Sequence, residues 1–84
     1  MEEKLIGKIV HYFDKIQVAI IELVGELKAG DKIHIKGHST DFEQDITSMQ
    51  IDHENVDKAK KGDAIGTKVG QKVREGDEVY LILP

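Results

Sequence analysis

The sequence predicts an all-β fold: a small closed or nearly closed antiparallel β-barrel of about six or seven strands, of the kind built from short alternating segments and tight turns. Three observations predict it. First, one phrase recurs three times in 84 residues, as Leu27-Lys28-Ala29-Gly30-Asp31-Lys32-Ile33, Ala59-Lys60-Lys61-Gly62-Asp63-Ala64-Ile65 and Val73-Arg74-Glu75-Gly76-Asp77-Glu78-Val79. Each copy has an apolar residue three positions before the glycine and a β-branched residue two positions after the aspartate. Glycine accepts a positive φ that a Cβ would penalise, and aspartate bonds nearby backbone to hold a turn. The phrase therefore reads as a turn that launches a strand, with its first apolar residue tucked beneath. Second, apolar residues alternate with polar ones, as in Lys32-Ile33-His34-Ile35-Lys36. Third, aromatic residues make up 5% of the chain and Trp is absent, so the core must rest on Ile, Val and Leu.

Lys4 to Phe13 reads as the first strand, with Gly7 marking a bulge or a close backbone approach. Ile16 to Val24 is the second; its run Val18-Ala19-Ile20-Ile21 breaks alternation, as burial on both faces or a bulge would. A loop over Gly25 to Gly30 leads to the strand around Ile33 and Ile35, and Gly37-His38-Ser39-Thr40-Asp41 is a turn cluster. Phe42 to His53 is the longest strand, with a bulge expected near Thr47-Ser48, where the apolar parity switches between Ile46 and Met49. Asn55 to Ala59 is expected to form one helical turn, which Gly62-Asp63 keeps from extending. Ala64 to Val69 and Glu78 to Leu83 complete the strands. The expected core is Ile9, Val18, Ile20, Leu27, Ile33, Ile35, Ile51, Ile65, Val69, Val73 and Val79.

With 39% hydrophobic residues, residues 1–84 are long enough for one domain with a modest core. No apolar run reaches the roughly 20 residues that span a bilayer, and Met1-Glu2-Glu3-Lys4 is acidic where a signal peptide is basic. No membrane association and a cytoplasmic location are the expectations. The net charge of −4 is unevenly spread. Residues 37–57 carry six acids and no Lys or Arg, whereas residues 58–74 carry six bases against Asp63 alone. Such polarity either steers a charged partner or is a pair of solvated faces that neutralise each other.

Catalytic chemistry is not visible. There is no Cys, and Ser39 and Ser48 lack a nucleophile-elbow setting. His34 and His38 have a metal-like spacing only on a helix, and here Gly37 intervenes. Asp41, Glu43 and Asp45 share one face of a strand, which suits a cation or a basic partner but equally a solvated strand face. Gly62-Asp63-Ala64-Ile65-Gly66 has no Walker Lys-Ser/Thr. No enzyme activity, no cofactor and no metal are expected.

The segment Ser48-Met49-Gln50-Ile51-Asp52-His53-Glu54, followed by Ala59-Lys60-Lys61-Gly62-Asp63-Ala64-Ile65-Gly66, resembles the second-domain β-barrel of translational GTPases of the elongation factor Tu type. Gly7-Lys8-Ile9, Leu27-Lys28-Ala29-Gly30-Asp31 and the phrase at Val73 to Val79 extend the likeness over roughly residues 5–83. Gln50 stands where that family has Glu, and no P-loop is present, so GTP hydrolysis is not implied. The resemblance implies a stand-alone, non-enzymatic module contacting RNA or the ribosome. The basic stretch would supply Lys60, Lys61, Lys68, Lys72 and Arg74 for phosphates, and the family likeness would place Gln50, Asp63 and Gly66 near a terminal base. The alternative is a protein-interaction barrel docking on an enzyme or factor encoded separately, since similar barrels are appended to collagenase-like peptidases.

Overall fold

A computed structural model describes residues 2–83; Met1 and Pro84 lie outside the described residues. The fold is all-β and antiparallel. Its strands are β1 (Glu2–Phe13), β2 (Val18–Leu23), β3 (Leu27–Lys28), β4 (Lys32–Lys36), β5 (Asp41–Asp45), β6 (Met49–Ile51), β7 (Glu54–Val56), β8 (Lys58–Ala59), β9 (Ala64–Lys68) and β10 (Glu78–Leu83). Eight form one sheet in the order β5-β4-β10-β1-β2-β9-β6-β7, and β3 pairs with β8 in a second. The large sheet ends at β5 and β7 without joining them, so its backbone ladder is open. Among the described residues no helix is long and apolar enough to cross a membrane.

Three local expectations are corrected, and together they bring the strands among the described residues to ten; the first is the loop over Gly25 to Gly30, which contains β3, paired with β8. The long strand over 42–53 is broken at Ile46-Thr47-Ser48. There Ile46 turns into the core and exchanges backbone bonds with the first Gly-Asp turn, donating to the Asp31 carbonyl (2.8 Å) and accepting from the Gly30 N–H (2.7 Å). The helical turn over 55–59 is instead β7 and β8. Asp52 and His53 take φ of 51° and 67°, the geometry of a two-residue hairpin turn, and so pair Met49 with Val56 and Gln50 with Asn55. A paired hairpin outcompetes one unsupported helical turn.

β1 serves both sides of the sheet. Its first half pairs with β10 and its second half with β2, with register shifts between Leu5 and Gly7 and between Ile9 and His11. Gly7 is required by close approach: a Cβ there would sit 2.8 Å from both the Glu22 carbonyl oxygen and Ile21 Cγ2.

The three recurring phrases fold alike. Gly30, Gly62 and Gly76 have φ of 95°, 95° and 94°. In each turn the aspartate carboxylate accepts from the backbone N–H three residues earlier, at Lys28 (2.9 Å), Lys60 (3.0 Å) and Arg74 (2.9 Å). The aspartate N–H donates back to the carbonyl of that same residue. The glycine N–H of each turn donates across to another strand or core segment, at Ile46, Leu23 and Ile9 respectively. The leading residues Leu27, Ala59 and Val73 are buried beneath the turns, and the trailing Ile33, Ile65 and Val79 are buried in the strands they launch. Fully burying a Val, Leu or Ile side chain contributes about 1.5–3 kcal/mol relative to exposure.

The core differs from expectation in one strand above all. Ala19, Ile21 and Leu23 face inward, while Val18 and Ile20 face outward. The run Val18 to Ile21 is apolar at both parities and leaves the register open; Leu23 and the approach of Ile21 to Gly7 fix it. Ile51 is only half-buried at the core margin, and Ile6, Ile46, Met49 and Ala59 join the core.

Candidate functional site

The outward parity of β2 creates a surface feature. One registered row crosses four strands: His11 of β1 pairs with Ile20, Ile20 with Gly66 of β9, and Gly66 with Gln50 of β6. Residues opposed in this way lie on one face. Gly66 contributes no side chain, so the row is dented at its middle; a Cβ there would reach Ile20 Cδ1 at 3.4 Å and Val18 Cγ1 at 3.5 Å. Phe13 and Ile16, 45% and 61% exposed, wall one side. Asp52 and His53 of the β6–β7 turn wall the other. The result is an open groove of about 480 Å³, mostly apolar, with no Lys or Arg in its lining. That volume falls in the range of small-ligand and side-chain pockets.

A second cluster lies on the face of β4 and β5. His34 Nδ1 donates to Glu3 Oε2 at 2.7 Å and its Nε2 donates to Asp41 Oδ1 at 2.5 Å. Both nitrogens can donate only as imidazolium. The Asp41 hydrogen bond, aided by Glu3 and opposed by burial, holds the His34 pKa above its ordinary value, and His34 in turn holds the Asp41 carboxyl below its own. Glu3, His34 and Glu43 place potential ligand atoms within 4.8 Å of one another. A cation could bind there only by displacing the second imidazole proton.

The residues first considered for nucleic-acid contact lie on several elements. Gln50 and Gly66 are brought together, as paired residues at the groove. Asp63 is committed to its turn, where its carboxylate accepts from the Lys60 N–H. Lys60 and Lys61 belong to the turn before β9, and Lys68 ends β9, roughly 15 Å along the strand. Arg74 lies in the third turn, whose Gly76 N–H bonds to Ile9, with Lys72 in the loop before it. The acids of β5 do not neutralise this basic stretch; Asp41, Glu43 and Asp45 stand opposite Lys36, His34 and Lys32 of β4.

No family model matches the chain. It is 49% identical over 78 residues to an uncharacterized protease of Methanocaldococcus jannaschii, covering 92% of this chain and 19% of that protein. It is 36% identical over 81 residues to a collagenase of Porphyromonas gingivalis, covering 94% of this chain and 22% of the collagenase. This chain is similar to one segment of each protease. It spans about a fifth of the length of the curated relatives it matches. Among solved structures it matches the C-terminal domain of a candidate U32 peptidase from Geobacillus thermoleovorans, with TM-score 0.89, 16% identity and coverage of 95% of this chain and 93% of that one. A selenomethionine variant of the same domain gives TM-score 0.86 at 16% identity, covering 90% and 96%.

These findings overturn the resemblance to the elongation factor Tu barrel, and with it the reading as a translation-factor-like, RNA- or ribosome-contacting module. The motifs behind that resemblance were the Ser48 to Glu54 segment, which folds as the β6–β7 hairpin, and the Gly-Asp turns. Those turns build strands and hold backbone, so they report architecture and do not discriminate between proteins that share it. The groove was missed because the wrong parity of β2 placed Val18 and Ile20 in the core; Leu23 carried the signal that could have found it. The His34 cluster was missed because Glu3 lies 31 residues away in sequence.

Proposed function

We propose that this chain is a non-catalytic, single-domain module that docks on the peptidase portion of a U32- or collagenase-type protease, whether joined to it or encoded separately. The observation that carries this reading is the 49% identity to a protease of which the chain spans only 19%. A segment of that size at that identity is best explained as an accessory unit of a larger enzyme. The groove supports it by offering an exposed apolar surface of the kind that marks an interaction site.

The reading also takes the sheet as a nearly closed barrel, rigid enough to present that surface. Gln44 of β5 supports it, since its side-chain amide donates to the Lys68 carbonyl at 2.9 Å and its oxygen accepts from the Gly70 N–H at 2.9 Å, stitching β5 to the end of β9. The test is capture from native cell extract with a tagged chain, with and without ribonuclease, followed by identification of bound proteins. A peptidase of this type, retained after ribonuclease, is the expected result. Capture of no such peptidase, or loss of all partners on ribonuclease treatment, would reject the reading.

A further inference from the structure

The His34 cluster holds more negative charge than its hydrogen bonds use. Register sets Glu43 of β5 directly opposite His34 of β4, and Glu3 of β1 reaches the same imidazole from the far side of β10. Asp41 of β5 takes the other ring nitrogen. Three carboxylates therefore gather around one imidazolium, leaving two negative charges in excess. The cations nearby do not cancel that excess at short range. Among the described residues no Lys or Arg nitrogen lies within 4.0 Å of these carboxylates. Lys32 of β4 stands opposite Asp45, and Lys36 has its Nζ over the Tyr80 ring, 6.0 Å from the centroid. Tyr80, beside His34 on β10, donates its hydroxyl hydrogen bond to Glu78.

The donor set and its support suit a metal ion. Glu3, His34 and Glu43 each offer a ligand atom, and these atoms lie within 4.8 Å of one another. A tetrahedral zinc with bonds of about 2.0–2.1 Å places its ligand atoms about 3.3 Å apart. His34 Nδ1 and Glu3 Oε2, at 2.7 Å, need only part slightly, and the exposed Glu43 carboxylate is free to rotate toward them. An imidazole among the donors favours zinc and its neighbours over calcium and magnesium, which take oxygen ligands. Metal-bound histidines usually donate their other ring N–H to a carboxylate, which fixes the tautomer and aims the bound nitrogen. His34 Nε2 already does this to Asp41 at 2.5 Å. The His34 side chain is only 13% exposed, so packing holds the ring as well.

We infer that Glu3, His34 and Glu43 bind a divalent transition-metal ion of the zinc type, through His34 Nδ1 and a carboxylate oxygen of each glutamate, with Asp41 as the positioning residue behind the ring. Binding releases the Nδ1 proton to solvent, and the Nε2–H stays on Asp41. Zinc with two glutamates and a neutral imidazole carries no net charge, so the excess at the cluster is relieved. The ion ties β5, an edge of the open sheet, to β4 and to β1, three places further in. Three protein ligands leave a further position for water or for a side chain of another protein. The inference is independent of the docking reading.

The test is a titration of the metal-free, 15N-labelled chain with zinc chloride near neutral pH, read by calorimetry and by long-range 1H–15N spectra of the imidazole rings. One equivalent is expected to bind, with the Nδ1 signal of His34 moving and its Nε2–H retained. The melting temperature should rise with zinc concentration. Calcium and magnesium should do neither. Asp41→Asn should weaken zinc binding about tenfold or more while leaving one equivalent bound. Glu3→Gln and Glu43→Gln should each weaken it further, and His34→Gln should abolish it. If His34→Gln does not fold, Glu43→Gln, at an exposed position, gives the same readout. His38→Gln, at an exposed position outside the cluster, should change nothing. No binding at millimolar zinc would overturn the inference. So would shifts confined to His11, His38 or His53, equal affinity for calcium, or full zinc affinity in Glu43→Gln.

Discussion

The launch turns and the groove rim solve the same backbone problem in opposite ways. Both need positive φ. The launch turns assign it to Gly30, Gly62 and Gly76, at each of which an added Cβ would meet nothing within 4 Å. The space is open, so glycine is there for its torsion and not for want of room. The groove rim assigns it to Gln17, Asp52 and His53, which keep their side chains in a conformation L-residues disfavour. The apolar residues differ in step. Leu27 beneath the first turn is fully buried, whereas Ile16 at the rim is 61% exposed. One region gives its positive φ to glycine above buried side chains; the other gives it to residues that carry side chains beside exposed ones.

The largest expected effect separates the two regions by stability. Leu27→Ala should destabilise by about 2–5 kcal/mol, because a closed core site loses contacts and keeps a cavity. Ile16→Ala should change stability by no more than about 0.5 kcal/mol, as exposed positions do. Urea unfolding of both variants checks it. Similar losses would mean that Ile16 is structural and would dissolve the distinction between rim and turn.

How far the sequence could be read follows the same division. The turns were legible because every requirement is local: the glycine, the aspartate that holds it and the flanking apolar residues lie within seven positions of one another. The inward Ile33, Ile35 and Ile65 of β4 and β9 were legible because they alternate with exposed or half-buried neighbours, whereas the buried Thr67 was not among the expected core. β2 was not, since Val18, Ala19, Ile20 and Ile21 are apolar at both parities, and the choice between them rests on Leu23 at the strand end and on the approach of Ile21 to Gly7. The β6–β7 hairpin was hidden because Asp52-His53 is a weak substitute for the Asn-Gly that announces such a turn. The groove depends on both of these misread segments. Partner identity was further obscured because the shared motifs serve the fold.

A smaller effect, with opposite signs in the two regions, sharpens the comparison. Gly62→Ala should destabilise by about 1 kcal/mol or more, since alanine must adopt φ near 95°. His53→Gly should instead leave stability unchanged or raise it by about 0.5 kcal/mol, as relief of strain outweighs the added freedom of the unfolded chain. Thermal and urea unfolding report both. A clear loss in His53→Gly would show that the His53 side chain has a structural role, and the rim would cease to be a contrast to the turns.

The histidines carry the contrast to its finest scale. His53 at the rim has no side-chain hydrogen-bond partner among the described residues, whereas His34 is held by Glu3 and Asp41, with Glu43 directly opposite on β5. The Asp41 hydrogen bond is the foremost cause of the raised His34 pKa, so the folded chain retains that proton more strongly than an unfolded one with a value near 6.5. The stability this adds is complete below pH 6.5 and is lost as pH rises through the folded His34 pKa. Asp41 acts in the other direction. Its pKa is lowered by His34 from 3.8, so its share is complete above pH 3.8 and is lost as pH falls through the folded value. The cluster is therefore most stabilising between pH 3.8 and 6.5. The urea midpoint should fall as pH is raised from 6 to 8, and His34→Gln should flatten that fall. If His34→Gln keeps the parent slope, the imidazolium is not shared between Glu3 and Asp41 in solution. The committed and uncommitted histidines would then be equivalent, and the division of labour between framework and rim would not extend to charge.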